Sequence, residues 1–540
     1  MEGLMQCGAN YVPLSPISFL ERAARVYGDQ ISVIYGGLAY TWKQTHQRCM
    51  QLASALSSLG ICYGDCVVAL LPNIPELYEL HFGVPFVGGV LSTINPKINA
   101  PTLSSMFEEL LPKFIFLDYK NLEPVLQILN HSDYKTSKPP IVVLTSTSNC
   151  VNKLPNHMYY NELLSMGQSD SYKPVLLKDE CDPILVNYTS GSTGRSKGVV
   201  YSHRATYLNT LGEILRSDLR QKAKVVFLWT ADMFRANGWG FTWAIAALGG
   251  TNVFLYDTNI LPSICMYKVT HLSGQPSILT TILDEFHTNP SEVIVSHKVY
   301  AHIAGVMPSS DAMERVQKLG IEVVYRYGMT EILGPPVITK LHNNRRLRNE
   351  LNIVDHIMEE FDVKDPNSME SVVFDGKSIG EVMFRGNGLM MGYLNDLTKT
   401  EKAFKGGWFH TGDLAIRHKD GSIQLKDRLI DVIVSKGERI SSLEIEAVLL
   451  THPKILEAAV VAMPDTNHML SDDEVPCAFL KLANGSEASQ GEIIQFCRER
   501  LPNQMIPKLV VFGNLAISST GKVQKFILRQ LARNLSSQLI

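Results

Sequence analysis

Short apolar runs bounded by polar turns alternate with longer helical patterns through the first 400 residues of this chain. The runs include Cys66-Val-Val-Ala-Leu-Leu71, Phe114-Ile-Phe-Leu117, Ile141-Val-Val-Leu144, Val225-Val-Phe-Leu228, Asn252-Val-Phe-Leu-Tyr256 and Glu322-Val-Val-Tyr325. Strands apolar on both faces must be covered on both, the condition of a parallel sheet flanked by helices. From Lys43 to Leu59, apolar Cys49, Leu52, Ala53, Leu56 and Leu59 recur at helical spacing until Gly60 stops the pattern. This alternation implies a large α/β N-terminal domain with several mainly parallel sheets.

After about Asp427 the texture changes. A helical stretch over Leu443 to Leu450, strands over Ala458 to Met463 and Val475 to Leu482, and helices over Gln490 to Leu501 and Val523 to Leu535 read as a small α+β C-terminal domain. A chain of 540 residues exceeds what one hydrophobic core supports, so two domains are expected, 1–428 and 429–540. The polar tract 340–352, with Asn343, Asn344, Arg345, Arg346 and Arg348, reads as a solvated surface excursion.

One loop concentrates chemistry. Thr189-Ser-Gly-Ser-Thr-Gly-Arg-Ser-Lys-Gly198 crowds hydroxyls, glycines and a lysine just after the strand-like run Pro183 to Tyr188. Glycines let backbone N–H groups approach an anion, hydroxyls add donors, and the lysine adds mobile positive charge. The spacing departs from the P-loop pattern, and Gly386-Asn-Gly388 lacks the third glycine of a dinucleotide fingerprint. Taken alone the loop also reads as a flexible Ser/Gly surface segment; its place after a strand favours nucleotide phosphates.

Charge and cysteine usage narrow the classes. A net charge of −3 gives no electrostatic case for nucleic acid or anionic membrane. Nine scattered cysteines suit a reducing compartment, and Cys62 and Cys66 read as buried thiols rather than zinc ligands. No run of 18 apolar residues occurs, the start lacks a signal-peptide pattern, and Ser537-Gln-Leu-Ile540 is not a Ser-Lys-Leu peroxisomal tail, so a cytoplasmic location is expected.

Four further segments follow the loop in order: Tyr327-Gly-Met-Thr-Glu331, Trp408-Phe-His-Thr-Gly-Asp413 before the turn signal Asp420-Gly421, Lys426-Asp-Arg428, and Ser519-Thr-Gly-Lys522. In order and approximate spacing they resemble the adenylate-forming superfamily of acyl-CoA synthetases, 4-coumarate:CoA ligase and firefly luciferase, over essentially the whole chain. The opening Cys7-Gly-Ala-Asn-Tyr-Val-Pro-Leu-Ser-Pro-Ile-Ser-Phe-Leu resembles plant acyl-activating enzymes of the cinnamate- and benzoate-CoA ligase type.

The resemblance implies a carboxylate–CoA ligase acting on a carboxylic acid, ATP and CoA with Mg²⁺, in two steps through an acyl-adenylate. Thr189, Ser190, Gly191, Ser192, Thr193, Gly194 and Lys197 would cradle the β- and γ-phosphates, Thr330 would touch the α-phosphate, and Glu331 would hold Mg²⁺. Tyr325, Tyr327 and Gly328 would lie at the adenine, Asp413 and Arg428 at the ribose. Lys522 would bridge the reacting carboxylate and the α-phosphate. The C-terminal domain would be mobile, turning after the Asp-Arg pair to bring Lys436-Gly437 to the CoA. The acyl pocket would be lined by Arg235, Trp239, Gly240, Val306, Met307, Met329, Leu333 and Gly334; their mostly apolar character favours a small aromatic or short-to-medium aliphatic acid. No obligate protein partner is implied.

Taken singly, Glu331 reads as a helix-start glutamate, Asp413 as a turn former, and Lys522 as a solvated lysine among Lys525 and Arg529. Their joint order carries the functional reading. The chain also departs from its relatives. Arg235 stands where they commonly carry a histidine, and it could orient an acidic substrate, contact CoA phosphates or narrow the pocket. Ile430 replaces a polar hinge residue, and Ser196 replaces the proline before the loop lysine. These departures motivate the alternative of a catalytically weak nucleotide-binding scaffold; the retained motif residues oppose it.

Overall fold

The structure, a computed structural model, describes residues 4–131, 141–145, 157–189, 196–220, 224–257, 259–288, 295–305, 308, 310–340, 350–351, 359–435, 438–465, 473–483, 485–517 and 523–538. By packing the chain divides into two compact units: residues 1–190, 196–360 and 385–404 form the first, and 191–195, 361–384 and 405–540 the second.

The first unit is built on two eight-stranded sheets. In one, the order is Gly334–Lys340, Ile321–Met329, Val299–Ala304, His271–Gly274, Val226–Trp229, Thr251–Phe254, Ile31–Tyr35 and Leu38–Thr41. The six inner strands are mutually parallel, and each edge is an antiparallel hairpin partner. The other sheet runs Gly392–Tyr393, Lys197–Ser202, Pro183–Thr189, Val90–Thr93, Cys66–Leu70, Phe114–Asp118, Ile141–Thr145 and His157–Tyr159, with only its first two junctions antiparallel. The expected runs are therefore strands, and their uniform apolarity has the predicted cause: Val67, Val68, Ala69, Phe114, Ile115 and Phe116 are all fully enclosed. The helix expected over 43–59 spans Trp42–Ser58, opened by a capping box between Thr41 and Gln44, with Cys49, Leu52, Ala53 and Leu56 buried.

Within the tract 340–352, Lys340 ends a strand and Glu350–Leu351 form a short one; residues 341–349 and 352 lie outside the described ones. Cys62 is exposed, not buried, because it sits in the turn beyond the helix, where its N–H donates to Asp65. Cys66 is partly covered on its strand, and burial pushes its thiol up to about 12. Lys522 lies outside the described residues; of the basic residues that follow it, Lys525 Nζ lies 2.8 Å from Glu446, and Arg529 pairs with Asp431.

The second unit has the alternation of a half-and-half sheet. In the antiparallel pair Ile455–Pro464 and Glu474–Leu482, with Leu509–Phe512 parallel beside it, Val460, Ala478 and Leu480 face the helices Ser442–Leu449 and Gln490–Arg498. Ala459, Val461, Cys477 and Phe479 face Lys525–Gln538 on the other side. The same unit contains the hairpin Phe409–Arg417 and Ile423–Arg428, turned at Asp420-Gly421 as its sequence signals.

Two buried polar systems brace the first unit. Arg326, fully buried on Ile321–Met329, donates from Nη2 to both carboxylate oxygens of Glu213 on the helix His203–Arg216, at 2.9 and 2.8 Å. Arg216 Nε adds a 2.9 Å contact and the Ser217 hydroxyl another at 2.9 Å. Burial alone would raise the Glu213 carboxyl, yet Arg326 and Arg216 hold it below its ordinary range.

The second system holds a run of left-handed backbone, Ala236 (φ 42°), Asn237 (48°), Gly238 (71°), Trp239 (58°) and Gly240 (81°). For Ala236 and Trp239 that conformation costs on the order of 1–2 kcal/mol each, so the surroundings must impose it. They do so through Asn237. Its amide donates to His81 Nε2 at 3.0 Å, while its carbonyl accepts from Thr242 Oγ1 at 2.8 Å. Thr93 and Asn187 join the network and reach the Phe234 carbonyl. His81 Nδ1 faces the Leu77 carbonyl at 2.7 Å, so Nδ1 carries the proton and Nε2 accepts.

Arg326→Met should lower unfolding free energy by roughly 3 kcal/mol, because it leaves the buried Glu213 carboxylate with only Arg216 and Ser217; urea unfolding measures it. The His81 side chain is depressed to about 4 by burial, so the folded protein binds fewer protons than the unfolded one between pH 6.5 and 4. Its contribution to stability is therefore present above pH 6.5 and lost as pH falls toward 4. The stability difference between the wild type and His81→Gln should shrink over that window by roughly 3 kcal/mol, read from unfolding curves at successive pH values.

Candidate active site

The loop's two ends are held as a β-hairpin. Pro183–Thr189 and Lys197–Ser202 pair antiparallel, with Tyr188 opposite Gly198 and Thr189 opposite Lys197. Tyr188 is anchored by its hydroxyl, which donates to Glu109 Oε2 at 2.7 Å. Thr189 and Lys197 thus leave the sheet side by side, as a closed anion-binding loop requires. Ser190, Gly191, Ser192, Thr193 and Gly194 lie outside the described residues, as do Val306, Met307, Lys436, Gly437 and Lys522.

Tyr327, Gly328 and Met329 form the C-terminal end of Ile321–Met329, and Thr330 and Glu331 open the short 3₁₀ turn that follows. Parallel sheets bind ligands at this end of their strands, where helices and loops diverge. The turn is fixed from several sides. The Tyr201 hydroxyl donates to the Thr330 carbonyl at 2.5 Å, and the Met390 N–H donates to the Glu331 carbonyl at 2.9 Å. The Glu331 carboxylate accepts from the Tyr393 hydroxyl at 3.0 Å through Oε1. Lys197 Nζ lies 4.7 Å from the centre of the same Tyr393 ring. The loop lysine and the glutamate, far apart in sequence, are therefore joined at one aromatic side chain. Tyr325, two residues before Tyr327, donates its hydroxyl to the Gly305 carbonyl at 2.7 Å and is buried.

Of the residues expected to line an acyl pocket, Trp239 and Gly334 meet. Trp239 sits on the left-handed run, and Leu333 takes φ 54° just before Gly334 at φ 109°. A Cβ on Gly334 would lie 3.0 Å from Trp239 Cβ, so only glycine meets both the conformation and the contact. Arg235 caps the start of the run, its Nε 2.8 Å from Asp232 Oδ2 and its guanidinium 5.6 Å from the Phe234 ring centre.

In the second unit Asp413 and Arg428 are direct cross-strand partners, with Arg428 Nε 3.3 Å from Asp413 Oδ1. The turn before Asp413 is shaped by Glu381, whose carboxylate receives the Gly412 N–H at 2.7 Å and lies 2.8 Å from His410 Nδ1. Beyond Arg428 the Leu429 N–H donates to the Gly412 carbonyl at 2.7 Å, and Arg529 donates to the Ile430 carbonyl at 3.0 Å. Ile430 is half exposed, an apolar side chain toward water.

Sequence reasoning missed Tyr201, Tyr393, Glu381 and the Asn237–His81 network. Tyr393 carries a signal, as an aromatic in Gly392-Tyr-Leu-Asn395 ahead of an Asp396-capped helix, but nothing local ties it to Glu331.

Two family models match the chain: the AMP-binding enzyme model over residues 20–394 and the AMP-binding enzyme C-terminal domain over 444–522. It is similar to a 2-methylpropanoate–CoA ligase of Humulus lupulus, 40% identical over 99% of this chain and 98% of the relative. It is similar also to a peroxisomal trans-cinnamate:CoA ligase of Petunia hybrida, 37% identical over 99% and 96%. A peroxisomal butyrate–CoA ligase of Arabidopsis thaliana is 39% identical over 99% and 96%. In fold it matches the crystal structure of an anthranilate CoA ligase in complex with anthranoyl-AMP, at TM-score 0.81 and 20% identity over 98% of this chain and 100% of that one. The site geometry stands on a chain that belongs, by its sequence from end to end, to the AMP-binding enzyme family.

Proposed function

We propose that this protein is an AMP-forming acid–thiol ligase. A carboxylate oxygen attacks the α-phosphorus of ATP, the bond to the bridging oxygen breaks, and acyl-adenylate and pyrophosphate result. The CoA thiol then attacks the acyl carbon and expels AMP, leaving the thioester. Both first-step reactants are anions, so the site's main task is to neutralise and orient charge. The observation that carries this reading is the meeting of the loop lysine Lys197 and Glu331 at Tyr393, beside a hairpin whose ends present Thr189.

In this reading Thr189, the loop through Gly194 and Lys197 bind the β- and γ-phosphates, and Thr330 binds the α-phosphate. Tyr325, Tyr327 and Gly328 contact the adenine, and Asp413 with Arg428 the ribose hydroxyls. Glu331 suits Mg²⁺: a hard oxygen donor, with Oε1 held by Tyr393 and no hydrogen bond to Oε2 among the described residues. The ion, when bound, shields phosphate charge. Lys522 bridges the carboxylate and α-phosphate in the first step. The segment after Arg428, a C-terminal domain over 429–540 set on the rest at 1–428, then rotates to bring Lys436-Gly437 to CoA. The Arg529 contact to the Ile430 carbonyl lies at that hinge.

The acid is a small aromatic or short-to-medium aliphatic one. Apolar Trp239 and Leu333 around Gly334 support this, as do relatives named for 2-methylpropanoate, trans-cinnamate and butyrate. No described helix is long and apolar enough to cross a membrane. A cytoplasmic location belongs to the proposal, and the free thiols of the described cysteines support a reducing compartment; two relatives carry a peroxisomal label in their names.

Purified protein given ATP, Mg²⁺ and CoA should convert at least one of cinnamic, benzoic, isobutyric and hexanoic acids to its CoA thioester, and malonic acid far less, by mass detection. Absence of acyl-AMP from every acid would sink the proposal in favour of a nucleotide-binding scaffold. Arg235→His should change the ratio of kcat/KM between aromatic and aliphatic acids by roughly tenfold, because a charged side chain paired with Asp232 gives way to a smaller one. An unchanged profile and turnover would remove Arg235 from the pocket.

A further inference from the structure

We infer that Tyr393 is a positioning residue that keeps the loop lysine and the metal-binding glutamate apart while holding both in place. The inference rests on the ATP-dependent reading above and concerns the same site. Lys197 and Glu331 carry opposite charges and both reach Tyr393, yet among the described residues they form no ion pair with each other. A direct pair would use up both charges. Incoming phosphate and cation would then have to break it, losing the attraction they bring.

Tyr393 instead gives each charge a separate contact. Its hydroxyl donates to Glu331 Oε1 at 3.0 Å, which leaves Oε2 for a cation. Its ring face takes the Lys197 ammonium at 4.7 Å, a contact weak enough for a phosphate to displace.

The backbone gives Tyr393 little freedom to do anything else. Gly392–Tyr393 pairs antiparallel with the strand that begins at Lys197, setting Tyr393 opposite Val199. The Leu394 N–H donates to the Gly198 carbonyl at 2.7 Å, and the Tyr393 N–H donates to Thr400 Oγ1 at 2.9 Å. Gly392, at φ 153°, approaches so closely that a Cβ would lie 2.7 Å from Thr400 Cγ2. Tyr393 is thereby locked one strand away from the lysine whose charge it holds.

Two substitutions separate its parts. Tyr393→Phe keeps the ring and removes the hydroxyl; Tyr393→Leu removes both. ATP binding is measured by calorimetry on the full-length protein, across a Mg²⁺ titration and with Mg²⁺ chelated. Tyr393→Phe should raise the half-saturating Mg²⁺ concentration roughly tenfold and leave Mg²⁺-free ATP affinity within about twofold. Tyr393→Leu should weaken both, about fivefold or more without Mg²⁺, and adding Lys197→Met to it should cost little further Mg²⁺-free affinity. A wild type that binds MgATP beside a Tyr393→Phe protein with unchanged Mg²⁺ dependence would overturn this inference alone. So would equal loss of affinity with and without Mg²⁺, the signature of a merely structural side chain. Should Tyr393→Leu fail to fold, the Phe variant still decides. A wild type that binds no ATP would overturn the proposed function itself.

Discussion

A buried guanidinium holds the strand Ile321–Met329 in place. Arg326 lies between Tyr325 and Tyr327, with its charge wholly inside the protein and matched by Glu213 on a neighbouring helix. Arg216 and the Ser217 hydroxyl complete the carboxylate's partners. Such a pair gains little over a well-packed apolar replacement of both partners, yet it is costly to leave half-made, so it discriminates sharply against alternative registers. Its consequence is positional: the strand that ends in Tyr327-Gly-Met-Thr-Glu331 cannot slide against the helix, and the turn carrying Thr330 and Glu331 inherits that rigidity.

Around this strand the site is assembled from pieces held in conformations they would not choose alone. The left-handed run 236–240 exists because Asn237 finds His81 and Thr242, both supplied by other elements. Gly334 closes against Trp239 from the far side. The positions of Trp239 and Gly334 are thus set in part by a buried polar network centred on Asn237. Strain at a binding site is tolerable when the surroundings over-determine it, and here hydrogen bonds from three segments do so.

Charge handling follows the same logic. A nucleotide site needs positive and negative groups close together but not mutually satisfied, since an ion pair already formed has nothing left for a ligand. In the proposed site Tyr393 would meet that need between Lys197 and Glu331 with a phenol, which offers a donor at its edge and a negative face to a cation. Asp413 and Arg428 solve it differently: they do pair, but Arg428 is half exposed and its contact is correspondingly weak.

The strands at Cys66, Phe114, Ile141, Pro183, Val225, Asn252 and Glu322 were legible in the residues themselves, because burial on both faces demands continuous apolar runs and few other structures do. The C-terminal helices and strands were legible for a related reason, their alternation of apolar positions matching two opposite faces of one sheet. The motif residues could be listed from their order along the chain, and Asp413 with Arg428 could be suspected. Pairing across space could not: nothing near Tyr393 announces Glu331, nothing near Asn237 announces His81, and Cys62 was misjudged because exposure in a turn depends on what packs over it. Periodicity reports how a segment meets a face. Which side chains meet one another is decided only when separate segments close on the same volume, and hydrogen bonds and buried charges then select one closure among many.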